Sequence, residues 1–222
     1  MISIPSKIRF LPLDLPKFEY KQKVLDEFKP DTDFYYWSEE YLTHRDRAIP
    51  FHDPMPIKDR VHPELVEYVN TYFPFKGIVL FKLVRANTDV KPHVDDNYIE
   101  YNGPRKDYNT ITREFRDHQL STEPCGYRMT IEGDRKSLYL TDGAPSVVDG
   151  QLVYGNITQH IDTEVPESTD CFALKSYGSM HGVRKTEKDN NRLLVFVVGW
   201  IDNDRHKELV NRSYEKYKDY TK

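Results

Sequence analysis

The spacing of apolar residues changes character near residue 77. Upstream, two stretches carry the four-residue rhythm of a helix face. Lys17–Phe28 places Tyr20, Val24 and Phe28 on one side. Pro63–Phe73 places Leu65, Val69 and Phe73 together, with Pro63 suited to a first helical turn. The segment between them is irregular, aromatic and punctuated by proline. Downstream, the rhythm becomes that of strands. GIVLFKLVRAN (77–87) is β-branched and apolar, YRMTIEG (127–133) and SLYLTDG (137–143) alternate, and PSVVDGQLVYGN (145–156) folds about the hairpin dipeptide Asp149-Gly150. CFALKSYGSMHGV (171–183) and the continuous apolar run RLLVFVVGWID (192–202) follow, and a polar helix is expected over 204–220.

Six or seven strands without long intervening helices exclude a parallel α/β arrangement. They predict a mainly β fold with flanking helices, a closed sandwich or barrel. The expected organisation is one domain over residues 1–222: a helical and irregular flank (1–76), a β core (77–202) and a C-terminal helix (203–222). Segment 98–126 is long, polar and weakly patterned, which suits either a solvated loop or a lid over a site.

Composition narrows the function classes. The 32 basic and 36 acidic residues leave a formal charge of −4, against a general nucleic-acid binder held by phosphate neutralisation. The apolar run at 193–198 is far too short for a membrane span. The N-terminus lacks the layout of a secretory signal, and two cysteines are too few for a disulfide framework. A soluble, cytoplasmic protein is therefore expected. Tyrosine is abundant, 16 residues, which suits cores and clefts whose edges stay hydrogen-bonded.

The chemistry-bearing pattern is His-x-Asp. On a strand, side chains two apart share a face, so such a pair can supply two legs of a 2-His-1-carboxylate iron site. The pattern occurs three times, at His44/Asp46, His93/Asp95 and His160/Asp162. Context separates them. His44-Arg45-Asp46 lies ahead of the strands and lacks the Asn and the Gly-rich loop of a kinase. His160 has too little chain before the next histidine, His181, for several intervening strands of a barrel; both pairs read as surface or turn residues. His93/Asp95 directly follows a strand. After several further strands comes His181, and eleven residues later Arg192 opens the apolar strand. An arginine there suits a carboxylate, because its planar fork binds bidentately and keeps its charge.

In this order and spacing, residues 77–202 resemble the Fe(II)/2-oxoglutarate-dependent dioxygenases. The resemblance implies a double-stranded β-helix, or jelly roll, and assigns His93, Asp95 and His181 as iron ligands. Arg192 would pair the distal carboxylate of 2-oxoglutarate. The implied reaction uses O2, converts 2-oxoglutarate to succinate and CO2, and hydroxylates an unactivated C–H bond. A carboxylate at Asp95, rather than Gly or Ala, points away from the halogenating branch. Asp96 is the neighbouring alternative, disfavoured by the spacing.

One departure is Leu194, where a common version of the motif has Ser two residues after the Arg. The second carboxylate partner is then sought at Arg128, Tyr139 or Thr141. Arg128 matches a similarly placed Arg of aspartyl/asparaginyl-hydroxylase-like members. The expected substrate is a peptidyl side chain or a small metabolite. Two rival readings remain: a cupin-like metal enzyme without 2-oxoglutarate, which would not need Arg192, and a jelly-roll binding module with incidental His and Asp. Oligomeric state is not legible.

Overall fold

The computed structural model describes residues 8–28, 62–86, 90–93, 118–143, 145–148, 151–154, 157–175, 179–185 and 192–222. Among these, the fold is mainly antiparallel β with a few helices. The strands are β1 (Phe10–Pro12), β2 (Phe75–Ala86), β3 (Val90–His93), β4 (Gly126–Glu132), β5 (Leu138–Thr141), β6 (Pro145–Val148), β7 (Gln151–Tyr154), β8 (His160–Asp162), β9 (Cys171–Leu174), β10 (His181–Val183) and β11 (Arg192–Ile201). They form a five-stranded sheet in the order β1-β9-β4-β11-β2, a four-stranded sheet β3-β10-β5-β8, and a two-stranded ribbon β6-β7.

β11 shows why the larger sheet is buried on both faces. It lies between β2 and β4, and its alternate residues divide two environments. Leu193, Val195 and Val197 join the main core with Tyr127, Met129 and Ile131 of β4 and Cys171 and Ala173 of β9. The other face, Arg192, Leu194 and Phe196, borders a cavity. Each fully buried aliphatic side chain contributes roughly 1.5–3 kcal/mol, so the helix-side row is a major anchor of the sheet.

Three helices complete that core. α1 (Lys21–Glu27) buries only Val24. It is shorter than the helix expected over 17–28: its hydrogen bonding begins with the Val24 N–H donating to the Tyr20 carbonyl (3.1 Å), while the Phe18 N–H ahead of it donates to the buried Asp170 carboxylate (3.1 Å). Tyr20, expected on the buried face, is 51% exposed. α2 (Pro63–Tyr72) starts at its proline as expected and buries Leu65, Tyr68 and Val69. α3 (Asn203–Tyr217) is capped by the Asp202 carboxylate, which accepts from the Asp204 and Arg205 N–H groups. Its buried stripe of His206, Leu209, Val210, Ser213 and Tyr217 has the helical period.

The two sheets meet through a second cluster in which Phe10, Phe172 and Leu174 of one pack with Leu140 of the other and with Val165. The segment expected as one strand region over 171–183 is divided: β9 belongs to the larger sheet and β10 to the smaller. β6 and β7 pair on either side of Asp149-Gly150, as the hairpin signal predicted. β1, β3 and β8 are strands that sequence patterning did not identify. No helix among the described residues is long and apolar enough to cross a membrane.

Candidate metal and anion site

A cavity of about 310 Å³ opens between the sheets. One side is lined by His93 of β3 and His181 of β10, the other by Arg128 of β4 and Arg192 of β11. Between these polar ends lie apolar walls that include Val165, Phe172, Leu194 and Phe196.

The histidine end is built by strand register. His93 and His181 are directly paired across β3 and β10, and their ring centroids stand 4.6 Å apart. A bulge creates this pairing. Val90 pairs with Val183 and His93 with His181, so Lys91 and Pro92 oppose the single residue Gly182. Without the extra residue, Val90 and His93 would point to opposite faces; with it, both line the cavity. Pro92 is suited to this position, since β3 is an edge strand and proline donates no ladder bond.

His181 is held in one tautomer. Its Nδ1 lies 3.0 Å from the Ser179 carbonyl oxygen, which can only accept, so Nδ1 carries a proton and, in the neutral ring, Nε2 the lone pair. That is the form in which an imidazole ligates a metal, with the second nitrogen anchored to the backbone. Asp95, the expected carboxylate ligand, lies outside the described residues, as do His44, Asp46 and 98–117 of the candidate lid. Among the described residues no group of three or more His, Cys, Asp or Glu side chains is placed to hold a metal. Two of the three expected ligands are brought together.

The arginine end follows from the period of β4 and β11. Arg128 and Phe196 are cross-strand partners, and the Arg128 guanidinium lies over the Phe196 ring, 4.8 Å from its centroid. Arg192, four residues before Phe196, shares its face. Arg128 is 9% exposed and Arg192 6%. Arg192 Nη1 donates to Ser137 Oγ (3.2 Å), while its buried Nε has no hydrogen-bond partner among the described residues. Burial above all, with the neighbouring Arg128 charge and against the pull of Asp134, brings the Arg192 pKa down to about 10. The group stays protonated at neutral pH, so the cavity lining carries the buried guanidinium groups of Arg128 and Arg192 together with Arg135 and the carboxylate of Asp134, a cationic excess that an anion would stabilise.

Tyr139 and Thr141 are not brought to the cavity. In β5 the inward residues are Leu138, which borders the cavity, and Leu140 in the intersheet cluster; Tyr139 and Thr141 take the opposite face. The Tyr139 ring stacks on His160 and lies under the Arg184 guanidinium. It also abuts Gly182, where an added Cβ would come within 2.5 Å of the ring tip. His160 and Asp162 are exposed on the edge strand β8, in keeping with a surface role.

Residues not anticipated from sequence complete the site. Ser137 links Arg192 to the 133–136 turn by donating to the Asp134 carbonyl (3.2 Å). Arg135 ties that turn to segment 165–170, donating to the Val165 and Pro166 carbonyls and to Asp170. Serine and arginine in turns carry no sequence signal of such roles. No protein-family model, no curated protein and no solved structure matches the chain, which leaves the residues and their geometry to carry the functional reading.

Proposed function

We propose that the protein is an Fe(II)- and 2-oxoglutarate-dependent oxygenase with a double-stranded β-helix core. The observation that carries the proposal is one cavity with a register-paired His93 and His181 at one end and the buried, incompletely paired Arg192 beside Arg128 at the other. The two-sheet antiparallel strand order supports the same reading.

Two of the three candidate iron ligands and both arginine candidates for carboxylate pairing line the cavity among the described residues. His93 and His181, with Asp95, would hold Fe(II); the His181 tautomer already suits a ligand. Arg192 would take the distal carboxylate of 2-oxoglutarate, which would complete the hydrogen bonding of its Nε. Arg128 lies on the same face and supplies the second positive charge, in the role that Leu194 leaves unfilled. Bound iron and 2-oxoglutarate supply, with O2, an oxidant for a C–H bond, leaving succinate and CO2. The chain's own part is to orient the co-substrate between the arginines and the histidines, and to keep water from its apolar walls. The substrate class is a peptidyl side chain or a small molecule.

Titration with Mn(II), and then 2-oxoglutarate, separates the two ends. Wild type is expected to bind both. Asp95→Ala loses Mn(II), whereas Arg192→Met keeps Mn(II) and weakens 2-oxoglutarate about a hundredfold, the scale of losing a buried charged partner. Equal 2-oxoglutarate affinity in wild type and Arg192→Met would refute the co-substrate assignment and favour the cupin-like reading.

A further inference from the structure

Arg9 is the residue through which the larger sheet reaches the candidate metal centre. Its backbone is fixed on both sides: its N–H donates to the Lys222 carbonyl (2.6 Å), and its carbonyl accepts from the Lys175 N–H (2.8 Å). From this point, one residue ahead of β1, the guanidinium crosses to the smaller sheet. Nε donates to Ser179 Oγ (2.6 Å), and Nη2 donates to the carbonyls of Thr141 (2.6 Å) and Met180 (3.1 Å). Ser179 and Met180 are buried and lead directly into His181. The same Ser179 carbonyl accepts the proton of His181 Nδ1.

We infer that Arg9 is a positioning residue for His181: by clamping Ser179 and Met180 to β5 it fixes the carbonyl that sets the imidazole tautomer and so the metal-binding nitrogen. This rests on the proposed metal site, but the tautomer itself exists without metal. The physical reason is geometric. Residue 180 is tied to β5 by the Thr141 N–H to Met180 carbonyl bond (3.0 Å), and the Ser179 side chain is tied by Arg9. Removing the guanidinium deprives Ser179 of that tie and leaves its carbonyl freer to turn. Groups that orient a ligating histidine change metal affinity about tenfold to a hundredfold when removed.

The test uses metal-free full-length protein with nitrogen-15-labelled histidine, followed by Co(II) titration. Long-range proton–nitrogen correlations should show wild-type His181 protonated on Nδ1. Arg9→Met should give a mixture of tautomers and Co(II) binding weakened about tenfold or more. Arg9→Lys, which can keep one carbonyl contact, should recover part of both. A folded Arg9→Met with the wild-type tautomer and affinity overturns the inference. Should Arg9→Met not fold, Ser179→Ala removes only the Nε contact; a smaller shift in both readouts supports the inference, and no shift overturns it. Wild type that binds no Co(II) contradicts the metal-site reading, while the tautomer comparison still decides the role of Arg9.

Discussion

Arg192 and Tyr139 show how far single residues can be read. Both were candidates for the co-substrate carboxylate, but one faces the cavity and the other the back of β5. The account therefore predicts opposite behaviour from them. Tyr139→Phe should leave 2-oxoglutarate affinity within about twofold of wild type, given how little a side chain off the site contributes, when Arg192→Met loses it; calorimetric titration of each variant checks this. Equal losses would mean that Tyr139 reaches the ligand. Sequence distinguished Arg192 because an arginine opening a buried apolar strand is unusual on burial grounds alone. It did not distinguish Tyr139 from Leu138, because a strand's inward face is set by its partners and not by its own alternation. Ser179 and Arg9 were invisible for a related reason: their contact spans 170 positions of chain.

At the scale of elements, the bulge in β3 and the glycine opposite it decide whether the two histidines meet. Gly182 stands against Lys91 and Pro92, and an added Cβ would lie 2.5 Å from the Tyr139 ring and 2.8 Å from the Val90 carbonyl oxygen. Gly182→Ala should cost on the order of 1–3 kcal/mol, as overpacking does, and lower Tm by several degrees. It should weaken metal binding as well, because His181 is its neighbour; thermal melts with and without Mn(II) measure both. A variant as stable as wild type would show that β3 and β10 pair more loosely than described. The periodicity over 17–28 is longer than α1 because it does not register where the chain turns into the helix: Tyr20, in phase with Val24, ends up exposed ahead of the first turn. By contrast, α2 and α3 were legible because Pro63 and the Asp202 cap mark their starts locally. β3 was not legible, because Pro92 argues against a strand by itself and is admitted only by the edge position and the bulge that its partner β10 provides.

For the molecule as a whole, the apolar layer between the larger sheet and the helices carries stability, and the space between the sheets carries the proposed chemistry. The first includes a pH-sensitive element. His206 is buried on α3, its Nδ1 bonded to the Tyr127 hydroxyl (2.6 Å), and burial pushes its pKa down to about 4, with a hydrogen bond to the Glu123 backbone opposing and the His118 charge adding to the decrease. The unfolded chain, with an ordinary histidine near 6.5, binds this proton more readily than the fold does. Stability from this group is complete above about pH 6.5 and falls as pH drops toward 4, by about 3 kcal/mol at most. Urea unfolding of wild type and His206→Gln across that range should show the pH-dependent difference; parallel curves would contradict it. The division into β core and helical flanks was legible because the change in apolar period extends over whole segments. The sheet partners and the cavity were not, since they arise from contacts between distant strands. The decisive measurement is made without oxygen, by adding Fe(II) and then 2-oxoglutarate to metal-free protein and recording the visible spectrum. A weak charge-transfer band from chelation of iron by the 2-oxo acid is expected, abolished in Asp95→Ala and diminished in Arg192→Met. Iron binding with no band on adding 2-oxoglutarate would contradict the oxygenase reading.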